Sequence, residues 1–89
     1  MSHADDIYKK IRPFKVGESY RALLGYHVYK IYIEHIMPPL STPAPDIIIR
    51  YYGKTRQWWH REMYSALMLD LYCNQGEEKD AKEKLKKNA

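Results

Sequence analysis

The sequence predicts an all-α protein: two main helices at about 19–37 and 55–73, short N-terminal and charged C-terminal helices, and a proline-rich linker between the main pair. Three observations support this. Prolines stand where helices should stop, at Pro13 and at Pro38 and Pro39. At about 100° per residue, His27, Lys30 and Glu34 fall on one narrow face of 19–37. The tail places acids four residues ahead of lysines (Glu78–Lys82, Asp80–Lys84, Glu83–Lys87), as solvated helices do.

In chain order, Ile7, Tyr8 and Ile11 recur at helical spacing, with acids before them and cations after, which suits a helix dipole ending before Pro13. Ser19 is a candidate N-cap for the second element, because its hydroxyl can accept an unpaired N–H of the first turn. Leu24, Tyr26, Val28, Tyr29, Ile31, Tyr32, Ile33 and Ile36 cover most of the remaining surface, too much for a helix exposed on a small monomer. A strand alternative rests on the preference of Tyr, Ile and Val for sheets. Strict alternation would put Lys30 and Glu34 on one face with Val28, Tyr32 and Ile36, which favours the helix.

"PPLSTPAP" (38–45) is a stiff spacer, or else a plain loop. Asp46 can cap the next element, and Gly53 breaks that element into a short helix or strand and a longer helix from near Thr55. Trp59, Met63, Ala66, Leu67 and Leu71 line the longer helix, and Asn74, Gln75 and Gly76 supply a stop signal. The expected division is a single helical domain or extended helical subunit over 1–76, followed by a charged solvated tail over 77–89.

Eighty-nine residues bury a small core, so a partner is an expected stabiliser. Cys73 is the only cysteine, which excludes an intramolecular disulfide. Fifteen Lys and Arg against eleven Asp and Glu give a net charge of +4, modest for a protein that works through charge alone. "MSHADDIYKK" carries two acids and no apolar core, unlike a secretory signal or an acid-poor mitochondrial presequence.

No phosphate loop, nucleophile elbow, H-E-x-x-H or C-x-x-C occurs. Cys73, next to Tyr72 at the end of an apolar run, is expected to be a small buried side chain. His27 and His35 diverge on a helix, as do His60 and Glu62. No enzymatic activity, cofactor, metal or small-molecule substrate is therefore expected.

The densest stretch is "RYYGKTRQWWHREMY" (50–64), with four Lys or Arg and five Tyr or Trp. Trp, Tyr and Arg dominate protein–protein hot spots, and the same types lie at membrane–water boundaries. They also bind nucleic acid, with cations on phosphates and rings on unpaired bases. A plainer reading puts Trp59 in the core, Trp58 over it and the cations in water.

"SYRALL" (19–24) resembles part of the LYR motif of small mitochondrial helical proteins. Tyr20, Arg21, Leu23 and Leu24 match, Ser19 replaces the leading Leu, and Gly25 stands where an Arg is usual. The resemblance implies a mitochondrial helical adaptor with Tyr20 and Arg21 at a partner or acyl-carrier contact.

The leading expectation is a non-enzymatic structural accessory subunit, packed with other subunits into a mitochondrial inner-membrane complex. Trp58, Trp59 and Tyr64 would anchor it, together with Tyr26, Tyr29 and Tyr32, while Arg56 and Arg61 meet acids or phosphates. Arg50 and Lys54 would contact phosphate or lipid headgroups. The alternative is a small basic module that binds RNA or another single strand.

Overall fold

Residues 19–36 form a β-hairpin, not a helix. The computed structural model describes residues 11–38 and 44–87. Four antiparallel strands, β1 (Ser19–Leu24), β2 (His27–Ile36), β3 (Asp46–Tyr52) and β4 (Trp59–Ser65), lie in sequence order in one sheet. Among the described residues one helix, α1 (Ala66–Lys87), covers one side of it and packs chiefly on β1. The all-α expectation is thereby overturned. So is the LYR-like reading, because Tyr20 and Arg21 lie on an edge strand.

Local chemistry explains each departure. Gly25 and Tyr26 are the two loop residues of the first hairpin, and Leu24 pairs with His27 across them. Gly25 has φ +70°, while no non-glycine residue described has a positive φ, as in turns with Gly at the first central position. From that turn the core face of β2 reads His27, Tyr29, Ile31, Ile33. A bulge between Ile33 and His35 then rephases the strand, so that Ile36 pairs with Ile47 on the core face. Alternation holds from Tyr29 to the bulge; at the hairpin end His27 is exposed while Val28, on the opposite face, is buried.

The region expected as a helix from Thr55 is divided. Its first part is a loop followed by β4; the helix starts only at Ala66. Ser65 is the true cap, its Oγ accepting from the Met68 N–H at 3.2 Å. Asn74, Gln75 and Gly76 do not stop the helix, which continues to Lys87. Gly76 is buried there for a packing reason: a Cβ at this position would lie 3.0 Å from both the Ala22 Cα and the Arg21 carbonyl oxygen. The two small residues, Ala22 and Gly76, let the α1 and β1 backbones approach closely.

The core is Ile31, Ile33, Ile47 and Ile49 from the sheet against Leu69 and Cys73 from α1, each at most 2% exposed. Burial raises the Cys73 thiol to about 11. Arg12 ties the N-terminal segment to α1. Its Nε donates to Asp70 at 2.6 Å and its Nη1 to Glu77 at 2.8 Å, and it also reaches Asn74. Arg21 does the same from β1, meeting Asp80 at 2.6 Å.

Among the described residues no helix is long and apolar enough to cross a membrane. The stretch expected to pack its aromatics among the helices of a membrane complex is a hairpin. With the all-helical architecture gone, the reading as a helical accessory subunit of a mitochondrial inner-membrane complex loses its basis. The expected N-terminal helix and most of the proline-rich linker lie outside the described residues.

Candidate functional site

The register assigns the two faces of the sheet. Residues paired with the core positions point toward α1, and their neighbours point away. The face turned away carries Arg21 on β1, Lys30 and Tyr32 on β2, Arg50 and Tyr52 on β3, and Trp59 and Arg61 on β4. Two cross-strand pairs on it bring like charges together: Arg21 stands opposite Lys30, and Arg50 opposite Arg61. One cation of each pair is offset by an acid, Arg21 by Asp80 and Arg61 by Glu34, which leaves Lys30 and Arg50 as the cations of these pairs without a carboxylate among the described residues.

Rings fill the space between these cations. Trp59 lies 6.0 Å from Tyr32 and 5.6 Å from Tyr52, centroid to centroid. The Arg50 guanidinium sits 5.6 Å from the Tyr32 ring and 5.3 Å from Trp59, with the Lys30 ammonium 5.6 Å from Tyr32. Trp59 and Tyr52 are about half exposed, at 48% and 49%, and Trp58 in the β3–β4 loop is 73% exposed. Trp59 is therefore not in the core. Arg61 is neutralised by Glu34 at 2.9 Å, and Arg21 by Asp80. Among the described residues, Lys30, Arg50 and Arg56 have no carboxylate partner.

The loop that presents Trp58 is held by its backbone. The Gly53 N–H donates to the Trp58 carbonyl at 2.9 Å, and Tyr52 Oη donates to the Gln57 carbonyl at 2.9 Å. A Cβ on Gly53 would stand 2.3 Å from the Arg56 carbonyl oxygen and 2.7 Å from His60 Nε2, so only glycine fits there.

Where α1 leaves the other face uncovered, a second polar cluster forms. Tyr51, His60, Glu62 and Tyr64 share that side through the β3–β4 register. Tyr51 donates to Glu62 at 3.2 Å, Tyr64 donates to its other carboxylate oxygen, and His60 stacks on Tyr51 at 5.3 Å. His60 and Glu62, expected on different faces of a helix, thus lie on one face of a strand. Burial, then the Glu62 charge, pushes the Tyr51 phenol up to about 12; Tyr64 is raised for the same reasons, burial first.

Raised phenol values favour the neutral, folded form, so this stabilisation is complete below about pH 10 and is lost as pH climbs toward about 12. Denaturant unfolding from pH 9 to pH 12 should show a declining midpoint in the native protein and a shallower decline in Tyr64→Phe. Identical alkaline limbs would count against the Glu62 cluster as their cause.

The structure separates the residues that the sequence singled out. Tyr32, Arg50, Trp59 and Arg61 meet on the open face, with Arg56 and Trp58 in the adjoining loop. Tyr64 is turned to the opposite side, as is Tyr29, which packs on Tyr51 at 4.8 Å. Lys54 reaches over Tyr29 at 5.5 Å and so leaves the Arg50 cluster. Tyr26 is at the tip of the first hairpin, 89% exposed. Lys30 and Tyr52 also lie on the open face; the available signal was Gly25, a turn residue directly ahead of a run rich in Tyr, Ile and Val. Among the described residues, no three His, Cys, Asp or Glu side chains converge to hold a metal.

Comparison with known proteins returns no match among family models, curated sequences or solved structures.

Proposed function

We propose that the protein binds single-stranded nucleic acid, RNA or DNA, across the open face of its sheet. The observation that carries this is the placement of Lys30 and Arg50, neither with a carboxylate partner among the described residues, beside Tyr32, Tyr52 and Trp59 on the open face. An antiparallel sheet presents such rings at the spacing of its strands. Unpaired bases stack on them, and the cations beside them take the phosphates. Because stacking uses the face of any base, the expected preference is for single strands over duplex and not for one sequence.

Trp58 and Trp59 report on this directly. Titrating the full chain with a uridine or thymidine oligonucleotide should quench tryptophan fluorescence. With Lys30, Arg50 and Arg56 each displacing counterions, log K should fall against log salt with a slope of about −2. Absence of quenching at about 50 mM salt, or a slope near zero, would refute the proposal.

A further inference from the structure

We propose that the helix-side face holds a second, independent site, which binds a quaternary or fully methylated ammonium group. A cavity of about 290 Å3 opens there, lined by Leu24, Gly25, Tyr51, Glu62, Tyr64 and Tyr72. Half of its lining is tyrosine, one residue is a carboxylate, and none is a cation. Tyr64 on β4 and Tyr72 on α1 meet edge to face, 5.5 Å apart at 79°, and both border the cavity. Three tyrosines and a carboxylate bordering one cavity give it a potential that favours a cation: ring faces carry negative potential, and the acid adds a full charge.

The hydrogen bonds narrow the class of cation. Both Glu62 oxygens already accept a phenol proton, one from Tyr51 and one from Tyr64. The carboxylate is thereby fixed in place, with part of its accepting capacity used. A metal ion or primary ammonium demands several strong oxygen ligands in exchange for its water, and this site offers one acid. An alkylated ammonium carries its charge on a surface of methyl groups that is weakly hydrated, and it needs only ring faces and a nearby negative charge. Anions are repelled by the same groups.

The same row of rings already holds a cation of the chain itself. Tyr29 packs against Tyr51, and the Lys54 ammonium lies 5.5 Å from the Tyr29 ring. Lys79, near the hairpin tip, is engaged elsewhere, donating to the Tyr26 carbonyl at 2.9 Å. Size also fits a headgroup, since ligand pockets run from about 300 Å3 upward and this cavity is at that lower end.

Amide shifts of the isotopically labelled full chain test this, with choline, its uncharged carbon isostere 3,3-dimethylbutan-1-ol, and free Nε-trimethyl-lysine as probes. Choline should produce saturable shifts at Leu24, Gly25, Tyr64 and Tyr72, and the isostere should bind at least about ten-fold more weakly. Glu62→Gln keeps one carbonyl acceptor, for one of the two tyrosines, and should weaken choline about ten-fold. Tyr72→Leu keeps apolar bulk and should weaken it as well. Tighter binding of trimethyl-lysine than choline would indicate a methylated side chain as the source, and the reverse order a free small ligand. Equal binding of choline and isostere, shifts that map elsewhere, or indifference to Glu62→Gln would overturn the proposal. None of these substitutions touches the open face, so oligonucleotide binding should remain as a control.

Discussion

Replacing Arg50 with glutamate should weaken oligonucleotide binding by about 10- to 100-fold at roughly 0.1 M salt while leaving the fold as stable as before, or slightly more so. The two effects have opposite signs because Arg50 faces Arg61 across β3 and β4. A glutamate there relieves the like-charge contact but meets an Arg61 already paired with Glu34, so the gain is at most about 0.2–0.5 kcal/mol. On the open face it also removes the guanidinium lying near both Tyr32 and Trp59 and introduces repulsion toward phosphate. Trp59→Ala should act through stacking instead. A loss of about 1–3 kcal/mol corresponds to a 5- to 150-fold weaker complex, with little change in the salt slope. Parallel measurement of unfolding midpoint and affinity separates these cases. If Arg50→Glu binds like the native protein, the open face is not the nucleic-acid surface. If it unfolds the sheet, Arg50 has a structural role that its exposed position does not show.

Gly76→Leu should cost about 3 kcal/mol or more, a large part of the roughly 5–15 kcal/mol available to a domain of this kind. A side chain at Gly76 meets the β1 backbone, not the end of a flexible side chain, so the helix must lift. Lifting it strains the Arg21–Asp80 pair and opens the packing of Cys73. In a domain of about 90 residues this corresponds to a fall in melting temperature of about 12–24 °C. Gly76→Ala is the informative contrast. Alanine regains up to about 1 kcal/mol of helix propensity and must fit a contact a few tenths of an ångström too tight, so the terms nearly cancel. A Gly76→Leu variant as stable as Gly76→Ala would mean that α1 does not depend on this close approach.

Gly76 also shows why the helix boundaries were hard to read. Asn74, Gln75 and Gly76 form a stop signal when only local propensity is considered. In the fold the glycine is chosen for distance to another backbone, a quantity that no local pattern contains. Ser65 is a comparable case at the other end. It is a good cap residue within a run of apolar periodicity, and the competing strand β4 pairs with β3 only through the register of a hairpin.

The expectation of a helix over 19–37 failed for two physical reasons. The face turned away from α1 is not uniformly polar: Val28 is buried there beside the exposed Lys30 and the half-buried Tyr32, which breaks the expected pattern. The bulge at Ile33 and His35 then shifts the phase, so a strict period of two breaks before Ile36. Gly25 and the sheet preference of Tyr, Ile and Val were the local cues against a continuous helix.

Some properties come from residue types alone and would hold in any fold: the net charge of +4, the exclusion of an internal disulfide, and the mixture of rings and cations in 50–64. Which rings face solvent is not among them. Tyr51 and Tyr52 are neighbours in the chain and lie on opposite sides of the sheet, one donating to Glu62 and the other beside Trp59. That assignment depends on strand pairing between distant segments, and a slip of one residue would exchange the two faces. Composition thus limited the chemistry to cations and aromatic rings, while long-range register sorted them into an open basic face and an acidic tyrosine pocket.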